Sequence, residues 1–120
     1  EKQKRDFTFV DDVVDAFILA SKSKKTNIYN VGTSKPISIN DVVKILNVKK
    51  TVKIPKRPGE PFETNASVKK IKKHLKWTAK IKFAHGLKLM LKDIDKWKKA
   101  PLWNKSNIQL ATKKWFKHVK

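Results

Sequence analysis

The sequence holds 120 residues, enough for one small domain. Thirty basic and ten acidic residues give a net charge of +20, and the absence of cysteine excludes disulfides and thiolate metal sites. No apolar run reaches the roughly 18–20 residues of a membrane span and no signal-peptide pattern opens the chain, so a cytoplasmic protein without a membrane partner is expected.

A charge of +20 raises the question of nucleic acid. The kind of cation weighs against it. Of the 30 basic residues 28 are Lys, and the two Arg are Arg5 and Arg57. Base and phosphate readers lean on the planar Arg fork. A chain that uses Lys almost everywhere else reads as one with solvated Lys faces. The two Arg then mark sites where five fixed donors matter.

The chain runs from Glu1 straight into Arg5-Asp6-Phe7-Thr8-Phe9-Val10, which reads as the middle of a longer protein. Phe7–Val10 is an extended segment or short strand. Asp11 or Asp12 is placed to cap a helix carrying Val13, Val14, Phe17, Ile18 and Ala20, an arc wide enough for burial on more than one side. The run 21–25 is its polar stop. Ile28–Gly32 reads as a strand ended by glycine. Ser38 with Asp41 three residues on is a capping-box-like start for a helix bearing Ile39, Val42, Val43 and Leu46. Val52–Ile54 alternates as a short strand does.

Residues 55–61 hold three Pro and one Gly, which forbids regular structure there. Ser67 is positioned to cap a helix with Val68, Ile71 and Leu75 on one face. Phe83, Leu87, Leu91, Ile94 and Trp97 form a longer stripe at helical spacing, broken by Pro101. Ser106 or Asn107 starts a last helix with Ile108, Thr112, Trp115 and Val119 aligned; its aromatics are expected to pack down on the domain. Lysines lie opposite these stripes. Strands separated by helices imply a parallel sheet, and such a sheet needs more strands than this chain offers. The expectation is an incomplete parallel sheet whose other strands lie upstream.

An ordered set of motifs resembles the extended short-chain dehydrogenases of the NAD-dependent epimerase/dehydratase family. Gln3-Lys4-Arg5-Asp6-Phe7-Thr8-Phe9-Val10-Asp11-Asp12-Val13-Val14 resembles its Q-x-R-D-F-x-x-V-D-D-V-V signature. Ile28-Tyr29-Asn30-Val31-Gly32 resembles the strand that follows, and Arg57-Pro58-Gly59-Glu60-Pro61 its R-P-G-E/D loop. Leu75-Lys76-Trp77 resembles L-G-W, with Lys76 in place of the usual glycine. Phe83-Ala84-His85-Gly86-Leu87 matches F-x-x-G-L. The fold so implied is α/β, the C-terminal portion of a Rossmann-type enzyme, mostly helical with two or three short strands. Residues 1–100 are its substrate-binding part and 101–120 a helical tail.

The resemblance also assigns work. Arg5 and Arg57 hold the positions of the two arginines that bind the substrate diphosphate in such enzymes. Glu60 is a possible substrate-loop residue, ordering the loop or approaching a sugar hydroxyl. The reading from chemistry alone offers another role for Arg5, a structural pair with Asp11 or Asp12. The expected ligand is a nucleotide sugar, a UDP- or dTDP-sugar, and the candidate assembly of the intact enzyme is a homodimer.

The family's NAD lies on a Gly-rich loop. Gly32, Gly59 and Gly86 are too far apart to form one. Its proton transfer uses a Tyr-x-x-x-Lys pair, yet four residues after Tyr29, the one tyrosine, stands Thr33. NAD and the catalytic pair are therefore expected in an upstream part, and this chain alone is expected to be inactive. His74, His85 and His118 lie in separate elements without a carboxylate cluster, so no metal site is expected. The rival readings are a Lys-rich nucleic-acid-binding protein and an inactive fragment.

Overall fold

In a computed structural model of the chain, residues 3–53 and 59–118 are described, without the side chain of Phe116. Their order is β1 (Lys4–Arg5), α1 (Val10–Ser21), β2 (Ile37–Ser38), α2 (Ile39–Ile45), α3 (Lys69–Leu75), α4 (Phe83–Lys92), a 3-10 turn (Ile94–Trp97) and α5 (Lys105–His118). The chain is mostly helical, as expected. No described helix is long and apolar enough to cross a membrane.

The strands differ from expectation. Strand β1 pairs antiparallel with β2, Lys4 opposite Ser38 and Arg5 opposite Ile37. A single parallel bridge joins Lys4 to Glu63. Ile28–Gly32 has no regular structure, bends at Gly32 and joins no ladder, and neither does Val52-Lys53. Extended sequence becomes a strand only where a neighbour accepts and donates its main-chain bonds. Among the described residues no neighbour does so for 28–32, and no parallel sheet forms.

Helix α1 also starts differently. Phe9 is its N-cap and offers no side-chain bond, so neither Asp11 nor Asp12 caps it. Asp12 instead sits buried in the first turn and reaches across to the segment before α4. Its carboxylate accepts from the amides of Lys80 (2.9 Å) and Ile81 (3.0 Å). Its carbonyl accepts from the Trp77 indole at 3.0 Å. Trp77, Ile71 and Ala16 form the buried core, with Tyr29, Val31, Val68, Leu75 and Ala79 packed on it. Helices α1 and α3 are thus held by one acid and one indole.

The core is small for the apolar content. Val10, Val14, Phe17 and Ile18 of α1 are exposed, and so is Ile28. The expected burial of α1 on several sides is not met within the described residues; the helix buries only the stripe around Ala16.

The caps can be read one by one. Ser38 caps α2 as its sequence suggests, accepting from the Asp41 amide at 3.1 Å. Ser67 does not cap α3; Val68 stands at that position without a side-chain bond. Helix α5 begins at Asn104, where a reciprocal pair forms. The Asn107 amide donates to the Asn104 side chain at 3.0 Å, and the Asn104 amide donates back to Asn107 at 2.7 Å. The tryptophans of the tail do not pack down: Trp97 and Trp103 are exposed, as is Leu102, and Trp115 is less so. Among the described side chains of α5, Asn107, Ile108 and Thr112 are half-buried. A 14-residue helix with so narrow an inward face buries little else.

Helix α3 ends at Lys76, in the left-handed region at φ 55° and ψ 21°. This is the position where the family motif has glycine. A side chain there is strained by about 1 kcal/mol. We predict that Lys76→Gly raises stability by about 0.5–1 kcal/mol, read as a higher urea midpoint with unchanged m-value. Asp12→Ala leaves two shielded amides without an acceptor and is expected to cost about 2–3 kcal/mol in the same measurement.

Candidate functional site

The polar end of the fold is organised by two adjacent residues, Arg5 and Asp6, where β1 leaves its ladder. Side chains alternate along an extended segment, so neighbours serve opposite directions. Asp6 turns inward. Its carboxylate accepts from the Thr33 amide at 2.8 Å, the Ser34 amide at 3.0 Å and the Ala66 amide at 3.1 Å. The Thr33 hydroxyl donates to it as well. Burial alone raises the Asp6 pKa, but the Thr33 side-chain bond and the backbone bonds of Ala66, Thr33 and Ser34 outweigh it, and the net direction is down.

The segment 62–66 is bound to β1 on the other side. The Lys4 amide donates to the Phe62 carbonyl at 3.0 Å, and the Thr64 amide donates to the Lys4 carbonyl at 3.2 Å. Beside these bonds lies an open, mainly polar groove of about 510 Å³, lined by Asp6, Tyr29, Asn30, Val31, Thr64, Asn65 and Ala66.

Arg5 points to the loop around Glu60. Its Nη1 donates to the carbonyls of Lys4 (2.7 Å) and Phe62 (3.4 Å). Its Nη2 meets Glu60 Oε1 at 3.2 Å. The alternative pairing with Asp11 or Asp12 does not occur; Asp12 is occupied by the 80–81 amides. Of the residues singled out from sequence, Arg5 and Glu60 therefore come together in one ion pair. Arg57 lies outside the described residues.

The glycines do not fit a cofactor cradle. A Cβ on Gly32 would lie 2.5 Å from the Ala66 Cβ and 2.7 Å from an Asp6 oxygen. A Cβ on Gly86 would lie 2.7 Å from the Phe9 ring. Both bare positions are filled by the chain itself, which leaves no room there for a diphosphate. Gly59 sits in a turn at φ 73°. Tyr29 has its hydroxyl 3.4 Å from His74 Nδ1 and Lys70 above its ring, while Thr33 serves Asp6. The described residues hold no group of three His, Asp or Glu suited to a metal.

Sequence reasoning missed Asp6 and Asp12 as clasps. The one available signal was an acid set between Arg5 and Phe7 in an otherwise apolar, extended stretch.

The family model described as GDP-mannose 4,6 dehydratase matches residues 1–90. The chain belongs to this family of NAD-dependent epimerases and dehydratases. A UDP-glucuronate 4-epimerase of Thermodesulfobacterium geofontis is 35% identical over 115 residues, covering 90% of this chain and 32% of that protein. The crystal structure of a UDP-glucose 4-epimerase with UDP-glucose from Thermotoga maritima superposes with a TM-score of 0.74 at 31% identity. That match covers 79% of this chain and 32% of the other. A UDP-glucuronic acid 4-epimerase from Bacillus cereus, in complex with UDP-glucuronic acid and NAD, gives a TM-score of 0.68 at 30% identity, covering 79% and 33%. The chain thus spans about a third of the length of these epimerase/dehydratase relatives. Its likeness to them carries the Rossmann-type fold class.

The Asp6 clasp has a pH signature. Its folded pKa lies below the ordinary 3.8. A lowered acid stabilises the fold above its unfolded pKa, and that contribution is lost as pH falls through the folded value. We predict a stability loss below about pH 4 that Asp6→Asn flattens. At neutral pH the same substitution is expected to cost about 1–3 kcal/mol, because an amide nitrogen faces donors. Urea melts of both proteins across pH 2.5–7 (roughly the span over which the carboxylate titrates) check it.

Proposed function

We propose that this chain is the substrate-binding portion of an NAD-dependent nucleotide-sugar epimerase or dehydratase, with Arg5 and Arg57 gripping the substrate diphosphate. The observation that supports it is the seat of Arg5. Its fork is aligned by the Lys4 and Phe62 carbonyls and faces the Glu60 carboxylate. An Arg held in this way is pre-organised, so less side-chain entropy is lost on binding. A diphosphate offers paired anionic oxygens that match the fork. The use of Arg at only two of 30 basic positions is consistent with that geometric demand.

Relatives with UDP-sugars in their printed descriptions make a UDP-sugar the first ligand to test. No hydride or proton step is assigned to residues of this chain. NAD, when bound by such enzymes, supplies redox chemistry at a sugar carbon. We place its loop and the catalytic Tyr and Lys in the two thirds of the relatives' length that this chain does not span. The exposed face of α1, with Val10, Val14, Phe17 and Ile18, is in this reading the surface that this larger part covers. Residues 101–120 form a separate tail whose Trp residues have no part in the diphosphate site.

The test is calorimetric titration of UDP into the full-length protein. Arg5→Lys and Arg57→Lys keep the charge and remove the fork. Each is expected to weaken UDP binding about tenfold, and the double variant more. Unchanged affinity in the double variant rejects both assigned roles.

A further inference from the structure

The Arg5 fork carries bonds of two kinds in the ligand-free chain. Its Nη1 bonds go to main-chain carbonyls, which an incoming anion leaves in place. Its Nη2 bond goes to Glu60 Oε1 at 3.2 Å, an anionic oxygen of the kind that a phosphate oxygen can replace. The pair is well shielded, with the Arg5 and Glu60 side chains 22% and 17% exposed.

The Lys4–Phe62, Thr64–Lys4 and Ala66–Asp6 bonds hold residues 62–66, just beyond Glu60, against β1. Glu60 follows Gly59, whose positive φ of 73° shapes the turn that presents it. A carboxylate presented to a guanidinium whose Nη1 is fixed by main-chain carbonyls is an occupant of the anion slot.

We propose that Glu60 is a built-in competitor for the diphosphate at Arg5: it holds the fork while the site is empty and is displaced when the ligand arrives. The proposal rests on the reading of Arg5 as a diphosphate ligand. It adds a cost to that reading: an anion that takes the Arg5 edge must first displace the Glu60 carboxylate, so binding is weaker than the fork alone would give.

The experiment is UDP titration into the full-length protein at low salt, for the parent and for Glu60→Gln, Glu60→Ala and Arg5→Gln. Both Glu60 variants are expected to bind UDP about three- to tenfold tighter. In an Arg5→Gln background the Glu60→Gln gain is expected to vanish, since the pair is already broken. Glu60→Ala guards against a new bond made by the Gln amide. If Arg5→Gln weakens UDP binding while neither Glu60 variant tightens it, the competitor role is wrong and the diphosphate reading stands. If Arg5→Gln leaves UDP affinity unchanged, the diphosphate reading fails and this inference falls with it.

Discussion

One carboxylate, that of Asp6, ties together stretches of chain up to 60 residues apart. It gathers the turn at Thr33-Ser34 and the segment at Ala66 onto the end of β1. An acid withdrawn from water is costly unless donors replace its hydration. Here amides and a hydroxyl do so. The position of Arg5 follows, because its backbone neighbour is fixed. The polar groove follows too, since Asp6 and Ala66 both line it. Asp12 repeats the device at the other end of the small core, joining α1 to the segment before α4. In a chain with ten acids against 30 cations, these two are bound to backbone amides and not to Lys. The acids that do meet Lys, such as Asp15 with Lys80 and Asp93 with Lys96, make exposed pairs of small worth.

Much of the fold could be read before the structure. Helix α2 was legible because a capping box is a local pattern, Ser38 answering Asp41. The inward residues of α3 and the start of α4 followed from helical spacing, with Ile71 buried and Phe83 half-buried. The family was legible because its motifs occur in order. The failures share one physical cause. A carboxylate that accepts amides 27 to 69 residues away leaves no periodic trace. Asp12 looked like a cap for its own helix because caps are what local rules describe. Ile28–Gly32 looked like a strand because its residues favour extended backbone, yet a ladder is made by two partners. At the site, the chemistry of Arg5 and Glu60 was legible as two roles, but their meeting in one ion pair was not.

The glycines also show how a bare backbone position is spent. Gly32 and Gly86 exist to let this chain approach itself, against Ala66 and Phe9. Lys76 shows the converse: a residue with a side chain occupies a left-handed position that suits glycine. The strain is tolerable because Trp77, the next residue, is buried with its indole bonded to Asp12.

The exposed apolar face of α1 and the Lys-covered faces of α3 and α5 have a joint effect on behaviour in solution. The first invites molecules to stick together. The second makes like-charged molecules repel, over a Debye length of about 10 Å at 0.1 M salt. Attraction between apolar faces acts only near contact, so at low ionic strength repulsion governs the approach. Added salt shortens its reach and leaves the apolar face unchanged. The charged coat thus works as a colloidal barrier whose height is set by the buffer, keeping a poorly covered helix dispersed while the ionic strength stays low.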